Sequence, residues 1–241
     1  MPLILNIETA AESCSVALSK EGVVIGSVEG EELRSHASAL TVLIDYLLKS
    51  KSISLHDLDA IAVSKGPGSY TGLRIGVSVA KGLCYGAQNP IVAVNTLQSM
   101  MQGLREQHPD FGHNSRITPS FAQCWMPVRL EVYLALFGKD GKMIAETEAR
   151  IIDENSFDAL LPNHPMVFFG SGAEKCKTII KNSHAHFIDH FGLEARFMAP
   201  LSYEYFQHNQ FENVAYFEPF YLKDFVATMP KRKSDITKTI A

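Results

Sequence analysis

Short apolar runs and amphipathic stretches follow one another along the chain in an order that is repeated once. The first half opens with strands predicted at residues 3–8, 14–19 and 23–29. Two runs rich in Ala, Ile and Val follow at residues 60–63 and 91–94, and such runs are typical of strands buried on both faces of a sheet. Helices are predicted between and after these runs, at residues 36–49, 69–87 and 96–107.

The second half repeats this order after a polar, breaker-rich stretch at residues 108–119. Strands are predicted at residues 121–126, 132–137, 143–150, 167–169 and 195–198, and helices near residues 154–161 and 173–181. Two such units indicate a duplicated α/β architecture with mixed sheets covered by helices. The predicted domains are residues 1–107 and 108–227, followed by a polar, basic tail at residues 228–241 that is predicted to be disordered.

The helix predicted at residues 36–49 is apolar on more than one side. Its core-facing stripe follows helical spacing and consists of Leu40, Leu43, Ile44, Leu47 and Leu48. Ala39, Val42 and Tyr46 lie off this stripe. Two explanations stay open, because these residues can form a second packing surface or lie beneath another helix of the same chain.

The stretch Ser-Lys-Gly-Pro-Gly-Ser-Tyr-Thr-Gly-Leu-Arg-Ile-Gly at residues 64–76 joins a buried strand to a glycine-rich helix. Ser69 is predicted to cap that helix. Each interior glycine destabilises a helix by about 1 kcal/mol relative to alanine, so a compensating contact is expected. Gly72, Gly76 and Ala80 recur every four residues and form a smooth strip that another backbone, from this chain or another, can approach closely. The alternative is a phosphate cradle, since a helix start offers free amides to an anion.

Composition and charge limit the classes of function. The 241 residues are 46% hydrophobic, as is ordinary for a globular protein, and the net charge of -4 does not attract nucleic acid or an anionic membrane. No apolar run is long enough to span a membrane. The start lacks a basic region before its apolar run, so we interpret it as a strand and not as a signal peptide. Scattered cysteines indicate free thiols in a reducing cytoplasm.

Two motifs carry a resemblance to a known family. They are the glycine motif that follows the strand at residues 60–63 and the early Ile-Glu-Thr-Ala-Ala-Glu-Ser-Cys-Ser-Val-Ala-Leu at residues 7–18. With them the chain resembles the TsaB (YeaZ) family, which works in making threonylcarbamoyladenosine on transfer RNA. The resemblance implies duplicated ribonuclease H-like domains of the actin, sugar-kinase and heat-shock ATPase superfamily.

The same resemblance implies the role and the partners. The chain is expected to be a non-catalytic scaffold that binds a TsaD-like transferase and supports threonylcarbamoyladenosine formation. A TsaE-like ATPase is a further expected partner, and the chain is expected to form a homodimer when alone. Its association with tRNA is expected to be indirect, without a membrane, in the cytoplasm.

Departures from the catalytic relatives favour this non-enzymatic role. The TsaD sister family holds a metal with two histidines four residues apart, where this chain has Thr96 and Met100, and neither suits a hard cation. Superfamily ATPases place an acidic residue in the first turn of each domain, where this chain has Glu8 and Met126. We therefore expect no metal and no cofactor in the isolated chain, with ATP or ADP only at the partner interface.

The candidate residues form two sets. The candidate nucleotide or phosphate contacts are Glu8, Thr9, Ser13, Gly66, Gly68 and Arg74. The candidate partner interface lies on the helices at residues 36–49 and 69–87 and consists of His36, Ala39, Leu43, Tyr46, Ser69, Tyr70, Gly72, Leu73, Gly76, Val77 and Ala80. On this interpretation, Gly76→Leu leaves the monomer folded and abolishes pairing.

Alternative functions are a weak ATPase or a peptidase-type enzyme of the same superfamily. A peptidase needs a nucleophile, a base and an orienting group, and no Ser/His/Asp or Cys/His set is evident. His184, His186 and His190 do not have a common zinc-site spacing, so they are interpreted as a solvent-facing cluster.

Overall fold

A computed structural model describes residues 1–30, 36–109, 118–123, 131–162 and 165–222. The predicted tail at residues 228–241 and the predicted turn around Met126 lie outside these residues.

The first sheet has five strands in the order β3-β2-β1-β4-β5. The strands are β1 (Leu3–Glu8), β2 (Ser15–Lys20), β3 (Val23–Glu29), β4 (Ala60–Gly66) and β5 (Ile91–Asn95). Strand β2 is antiparallel to β1 and β3, whereas β4 is parallel to β1 and β5. In this register Leu5 on the central strand lies between Leu18 and Ile61.

The second sheet repeats this order, as β8-β7-β6-β9-β10. Its strands are β6 (Thr118–Gln123), β7 (Glu131–Phe137), β8 (Met143–Ile151), β9 (Met166–Phe168) and β10 (Ala185–Phe187). Strand β7 is antiparallel to β6 and β8, whereas β9 is parallel to β6 and β10. The predicted duplication is therefore confirmed, since the two sheets have the same strand order.

Five α-helices accompany these strands in the described part of the chain. They are α1 (His36–Ser50), α2 (Tyr70–Ala87), α3 (Thr96–Gln107), α4 (Ala173–Ile179) and α5 (Ala199–Gln207). None of these helices combines the length and the apolar character needed to cross a bilayer.

Two predicted elements of the second half are wrong. Residues 154–161 form turns and not a helix, because Asp153 and Ser156 bond each other and nearby amides and compete with helical bonding. Residues Ala195–Met198 form a 3-10 helix and not a strand. Short apolar runs do not distinguish the two structures, and the strand that completes the second sheet is β10 instead.

Helices α1 and α2 cover one face of the first sheet. Alternate strand residues such as Leu5, Ile7 and Val63 pack there against Leu40 and Val77 from the two helices. Because side chains alternate along a strand, the intervening residues point to the opposite face.

That opposite face is covered by the end of the chain. Ile4, Ala62 and Val94 pack against Met198 from the 3-10 helix and against half-buried residues of α5. The Ser202 hydroxyl on α5 donates to the side-chain Oδ1 atom of the buried Asn6 at 2.7 Å. Helix α3 of the first half packs in turn against the second sheet, where Leu97, Met100, Met101 and Leu104 meet Ala135, Phe137, Val167 and Phe169. Each sheet thus depends on elements from the other half, and the predicted domain limits stay a prediction.

Residues 212–222, which we call the C-terminal strap, run along α2 and the edge strand β5. The Glu212 amide donates to the Ile91 carbonyl at 2.9 Å, and the Phe220 amide donates to the Lys65 carbonyl at 2.7 Å. The Lys81 ammonium donates to the carbonyls of Ala215 and Phe217 at 3.0 Å each. The strap therefore holds α2 from one side.

We predict that an isolated fragment of residues 1–107 is not stably folded. Without the 3-10 helix, α5 and the strap it exposes Ile4, Ala62 and Val94, which the full chain buries completely. Burial of apolar surface of this extent is the main favourable term in folding. Cooperative thermal unfolding followed by circular dichroism is expected for the full chain only. A cooperative transition of the fragment at the same temperature would contradict this prediction.

Candidate docking surface and nucleotide turn

Helix α2 begins at the predicted cap. The Ser69 hydroxyl accepts from the Gly72 amide at 3.1 Å, so the capping prediction is confirmed. The Ser69 amide is not free, because it donates to the Ala10 carbonyl at 2.8 Å. Two amides at this helix start are thus already bonded within the chain.

The smooth strip of α2 packs against the turn that joins β1 to β2. A β-carbon added at Gly72 would overlap with the Thr9 carbonyl oxygen, and one added at Gly76 would overlap with the Thr9 hydroxyl. At Gly68 an added β-carbon would lie 2.6 Å from the Ala10 carbonyl oxygen. The close contact inferred from the glycine spacing therefore exists, and its partner is the chain's own backbone.

This contact corrects part of the candidate partner interface. Gly72, Gly76 and Ala80 are buried, as are Leu73 and Val77, which lie in the two cores. A partner cannot reach these positions while the turn occupies them. We therefore expect Gly76→Leu to destabilise the monomer itself, because a β-carbon at position 76 would overlap with the Thr9 hydroxyl.

The phosphate-cradle interpretation is also corrected. Glu8 and Thr9 are completely buried, and Gly66 is covered by the Phe220 carbonyl of the strap. Ser13 and Arg74 point elsewhere: the Ser13 hydroxyl donates to Glu29 at 2.9 Å, and the Arg74 guanidinium donates to the Tyr70 hydroxyl at 2.9 Å. The six candidate residues therefore do not form one accessible anion site.

Glu8 is a buried carboxyl at the centre of this arrangement. Its Oε1 atom accepts from the Ala10 amide at 2.6 Å and from the Ser64 hydroxyl at 2.7 Å. Its Oε2 atom has no hydrogen-bond partner among the described residues. Burial raises the pKa of Glu8 from 4.5 to about 7, although hydrogen bonds from Ala10, Ser64 and Thr9 oppose the shift. Complete burial keeps this carboxyl out of reach of a nucleotide or a metal ion in solvent.

The positions that replace the metal-binding histidines lie in the interior. Thr96 begins α3, and both Thr96 and Met100 are buried. Within the described ranges, no group of three or more His, Cys, Asp or Glu side chains is placed to hold a metal ion. His184 and His190 bond to different partners, with the His184 ring 2.9 Å from the Leu161 carbonyl and the His190 ring 3.6 Å from Glu174.

An exposed apolar surface lies on the outer side of α1 and α2. Val42 and Tyr46 on α1 are 65% and 61% exposed, and Tyr85 on α2 is 85% exposed. A β-carbon added at Gly82 or Gly86 meets nothing within 4 Å. We call these five residues the α1–α2 surface. Both helices pack on the same face of the first sheet, so their outer sides face away from it together.

The remaining interface candidates divide by position. Ala39, Leu43 and Tyr70 are half-buried, while Ser69 is buried at the start of α2. His36 begins α1, and its side chain lies outside the described part of the structure. Tyr70 and Arg74 line a groove with Lys81 and the strap residue Tyr221.

Gly82, Tyr85 and Gly86 were missed as surface residues by the sequence reasoning. Position 82 follows position 72 by ten residues, which at 100° per residue places it well away from the buried strip. The same arithmetic places Gly86 about 40° from Gly72, so it could have separated Gly82 from the buried strip but not Gly86. It could not have shown that the strip is covered.

Comparisons with known proteins follow the same division of the chain. A model of the family described as TsaD, tRNA N6-adenosine threonylcarbamoyltransferase, matches residues 24–114. The Escherichia coli (strain K12) protein described as tRNA threonylcarbamoyladenosine biosynthesis protein TsaB is 43% identical over 100 residues, which are 42% of this chain and 43% of that protein. The Haemophilus influenzae TsaB is 36% identical over 105 residues, or 44% of each chain.

A solved structure extends the comparison to the second half. It is a crystal structure of an uncharacterized protein with similarity to peptidase YeaZ, from Pseudomonas aeruginosa. It covers 92% of this chain and 100% of that chain, with a TM-score of 0.76 and 24% identity. The resemblance to the TsaB (YeaZ) family is confirmed. So is the predicted fold class, the duplicated ribonuclease H-like α/β architecture. In sequence, the chain spans less than half the length of the TsaB relatives it matches, at 43% and 44%.

Alanine substitutions at Gly76 and Gly82 of this TsaB-like chain are expected to change the free energy of unfolding in opposite directions. Gly76→Ala is predicted to destabilise the fold by more than about 2 kcal/mol, because the added methyl group overlaps with Thr9. Gly82→Ala is the matched control and is predicted to stabilise by about 1 kcal/mol, since it gains helix propensity in open space. Urea unfolding of both variants measures the difference. Equal effects would contradict the assignment of Gly76 to the buried strip and of Gly82 to the open surface.

Stability is expected to depend on pH through Glu8. Because its pKa rises from 4.5 in the unfolded chain to about 7 in the folded one, the folded state binds the proton more tightly. The tighter proton binding adds at most about 3 kcal/mol to the free energy of unfolding. This stabilisation is fully present below about pH 4.5 and is lost as the pH rises through about 7. Glu8→Gln removes the titration, so the difference in unfolding free energy between wild type and variant should shift across this window. A difference that is constant with pH would contradict the raised pKa.

Proposed function

We propose that this chain is a non-catalytic, TsaB-like subunit that docks a TsaD-like transferase and so supports threonylcarbamoyladenosine formation on tRNA. The observation that carries the proposal is the α1–α2 surface. It presents Val42 and Tyr46 to solvent on α1, and Tyr85 with two glycines that have open space above them on α2. Apolar surface of this kind, in a patch, is typical of a protein interface.

The chemistry of the interior supports a role without catalysis. The Glu8 carboxyl is buried, and Thr96 and Met100 lie in the core. None of these three side chains reaches a substrate in solvent. The names of the relatives support the pathway, since the matched TsaB proteins are described as acting in tRNA threonylcarbamoyladenosine biosynthesis.

The shape of the α1–α2 surface suits a helical partner. Gly82 and Gly86 lie one turn apart on α2 and leave a shallow path between larger side chains. A second helix can approach α2 closely along this path, while Tyr46 and Tyr85 provide aromatic contact area. Aromatic residues are enriched among those that contribute most to binding energy.

The further partners follow from the same proposal. A second copy of the chain can use the α1–α2 surface when the transferase is missing, because an identical patch on both chains closes a two-fold dimer. A TsaE-like ATPase joins through the transferase, and tRNA associates indirectly, in the cytoplasm. ATP or ADP binds at the partner interface and not in the isolated chain, since Glu8 and Thr9 are inaccessible.

A charge placed in the α1–α2 surface is expected to weaken docking. Val42→Lys should raise the Kd for the TsaD-like protein of the same organism at least about tenfold, because the ammonium loses hydration in an apolar contact. Ile144→Lys is the matched control, since Ile144 is 63% exposed on β8 of the second half and Val42 is 65% exposed. Isothermal titration calorimetry measures both.

Two outcomes would contradict the proposal. Equal affinity of wild type and the Val42→Lys variant would remove the α1–α2 surface from the interface. Tight binding of magnesium and ATP to the isolated chain, with turnover, would favour the ATPase alternative instead.

A further inference from the structure

Glu8 is the last residue of β1, directly before the turn that packs against α2. Helix α2 carries three of the five residues of the α1–α2 surface. Through Oε1, Glu8 holds the Ala10 amide, one residue after the start of the turn, and the Ser64 hydroxyl on β4. The turn residues Thr9 and Ala10 then contact α2. A single carboxyl thus joins β1, β4 and the turn at one point.

The contact between the turn and α2 leaves no room for adjustment. The Thr9 carbonyl and hydroxyl oxygens lie where side chains at positions 72 and 76 would begin. The Ala10 carbonyl accepts from the Ser69 amide at 2.8 Å and so fixes the first residue of the cap. Packed interiors transmit such displacements because they have few voids to absorb them. A shift of the turn must therefore shift α2.

On its other side α2 carries Gly82, Tyr85 and Gly86 of the α1–α2 surface. The strap holds the same helix through the two hydrogen bonds from Lys81. The helix is thus held between the turn and the strap, and its exposed residues are presented at a position that both contacts determine.

We propose that Glu8 is a positioning residue for docking: its carboxyl holds the turn at residues 9–10, and the turn sets the position of α2 in the α1–α2 surface. The inference rests on the proposed docking function. It gives a role to the residue that occupies the place of a catalytic acid in the superfamily.

Protonation of Glu8 should then affect docking. An ionised carboxylate in this site has lost its hydration and keeps only the hydrogen bonds to one oxygen, because Oε2 has no partner within the described ranges. Movement of the turn relieves this cost, and because the turn packs against Gly72 and Gly76 it shifts α2. With a pKa of about 7, the change falls near neutral pH.

The charged groups around Glu8 are bonded to other residues and do not set its pKa. Burial and hydrogen bonds alone set the pKa of Glu8, with no charged neighbour contributing. Arg74 and Lys81 on α2 are bonded to Tyr70 and to the strap. Arg196, from the 3-10 helix that packs on β1, pairs with Glu194 and Glu106. The other ionisable groups on the turn and on β4 are Glu12, Cys14 and Lys65.

The test is a titration of the full chain with the TsaD-like protein at about pH 6 and about pH 8.5, on either side of the Glu8 pKa. Wild type is expected to bind about tenfold more weakly at the higher pH. Glu8→Gln keeps an oxygen acceptor for Ala10 and Ser64 and stays uncharged. Between the two pH values its Kd should therefore change less than about twofold, after subtraction of any pH effect that the control variant also shows. The control is Glu12→Gln, an exposed glutamate of the same turn, which should follow wild type.

Folded content by circular dichroism accompanies each titration, so that lost binding is not confused with unfolding. Glu8→Ala should bind weakly at both pH values while folded, and if it does not fold, the Glu8→Gln profile decides alone. Identical pH profiles of wild type and the Glu8→Gln variant would overturn the positioning role while leaving docking intact. No binding by wild type at either pH would overturn the proposed function together with it.

Discussion

The contact between the turn at Thr9 and Ala10 and the glycine row of α2 is the constraint on which the N-terminal half depends. The helix lies so close to the turn that a side chain at position 72 or 76 would overlap with Thr9. The helix start, the end of β1 and the end of β4 all meet there, and Glu8 holds them together. The chain itself fills the space in front of the helix start, since the Ser69 amide donates to the Ala10 carbonyl.

The same contact explains an otherwise unfavourable helix. Four interior glycines lower the stability of an isolated helix by about 1 kcal/mol each. Gly72 and Gly76 are needed because the turn lies against them, whereas Gly82 and Gly86 meet nothing in the described chain. One pair of glycines is accounted for by internal packing. The other pair packs against nothing within the described residues, and the proposed docking surface gives it a role.

Patterns along the chain predicted the sheets well, because burial on both faces selects apolar, β-branched runs such as residues 60–63 and 91–94. The cap at Ser69 was predictable because it depends on local sequence alone. The Ser69 hydroxyl accepts from the amide of Gly72, three residues later. The covering of the glycine row was not, since the spacing shows that a surface is smooth and not what lies on it. The burial of Glu8 was likewise invisible, because its carboxyl resembles an active-site acid in sequence. The apolar run at Ala195–Met198 is too short for the spacing of its apolar residues to distinguish a strand from a helix.

The cross-covering of the two sheets bears on how the chain folds as it is synthesised. The first sheet is complete in sequence at residue 95, yet one of its faces waits for residues 195–207 to leave the ribosome. Until then the nascent chain carries an open apolar sheet face, the kind of surface that recruits chaperones or aggregates. Contacts across so many residues are also slow to form. The last step of folding is therefore expected to be the closure of the N-terminal core by the C-terminal end of the chain.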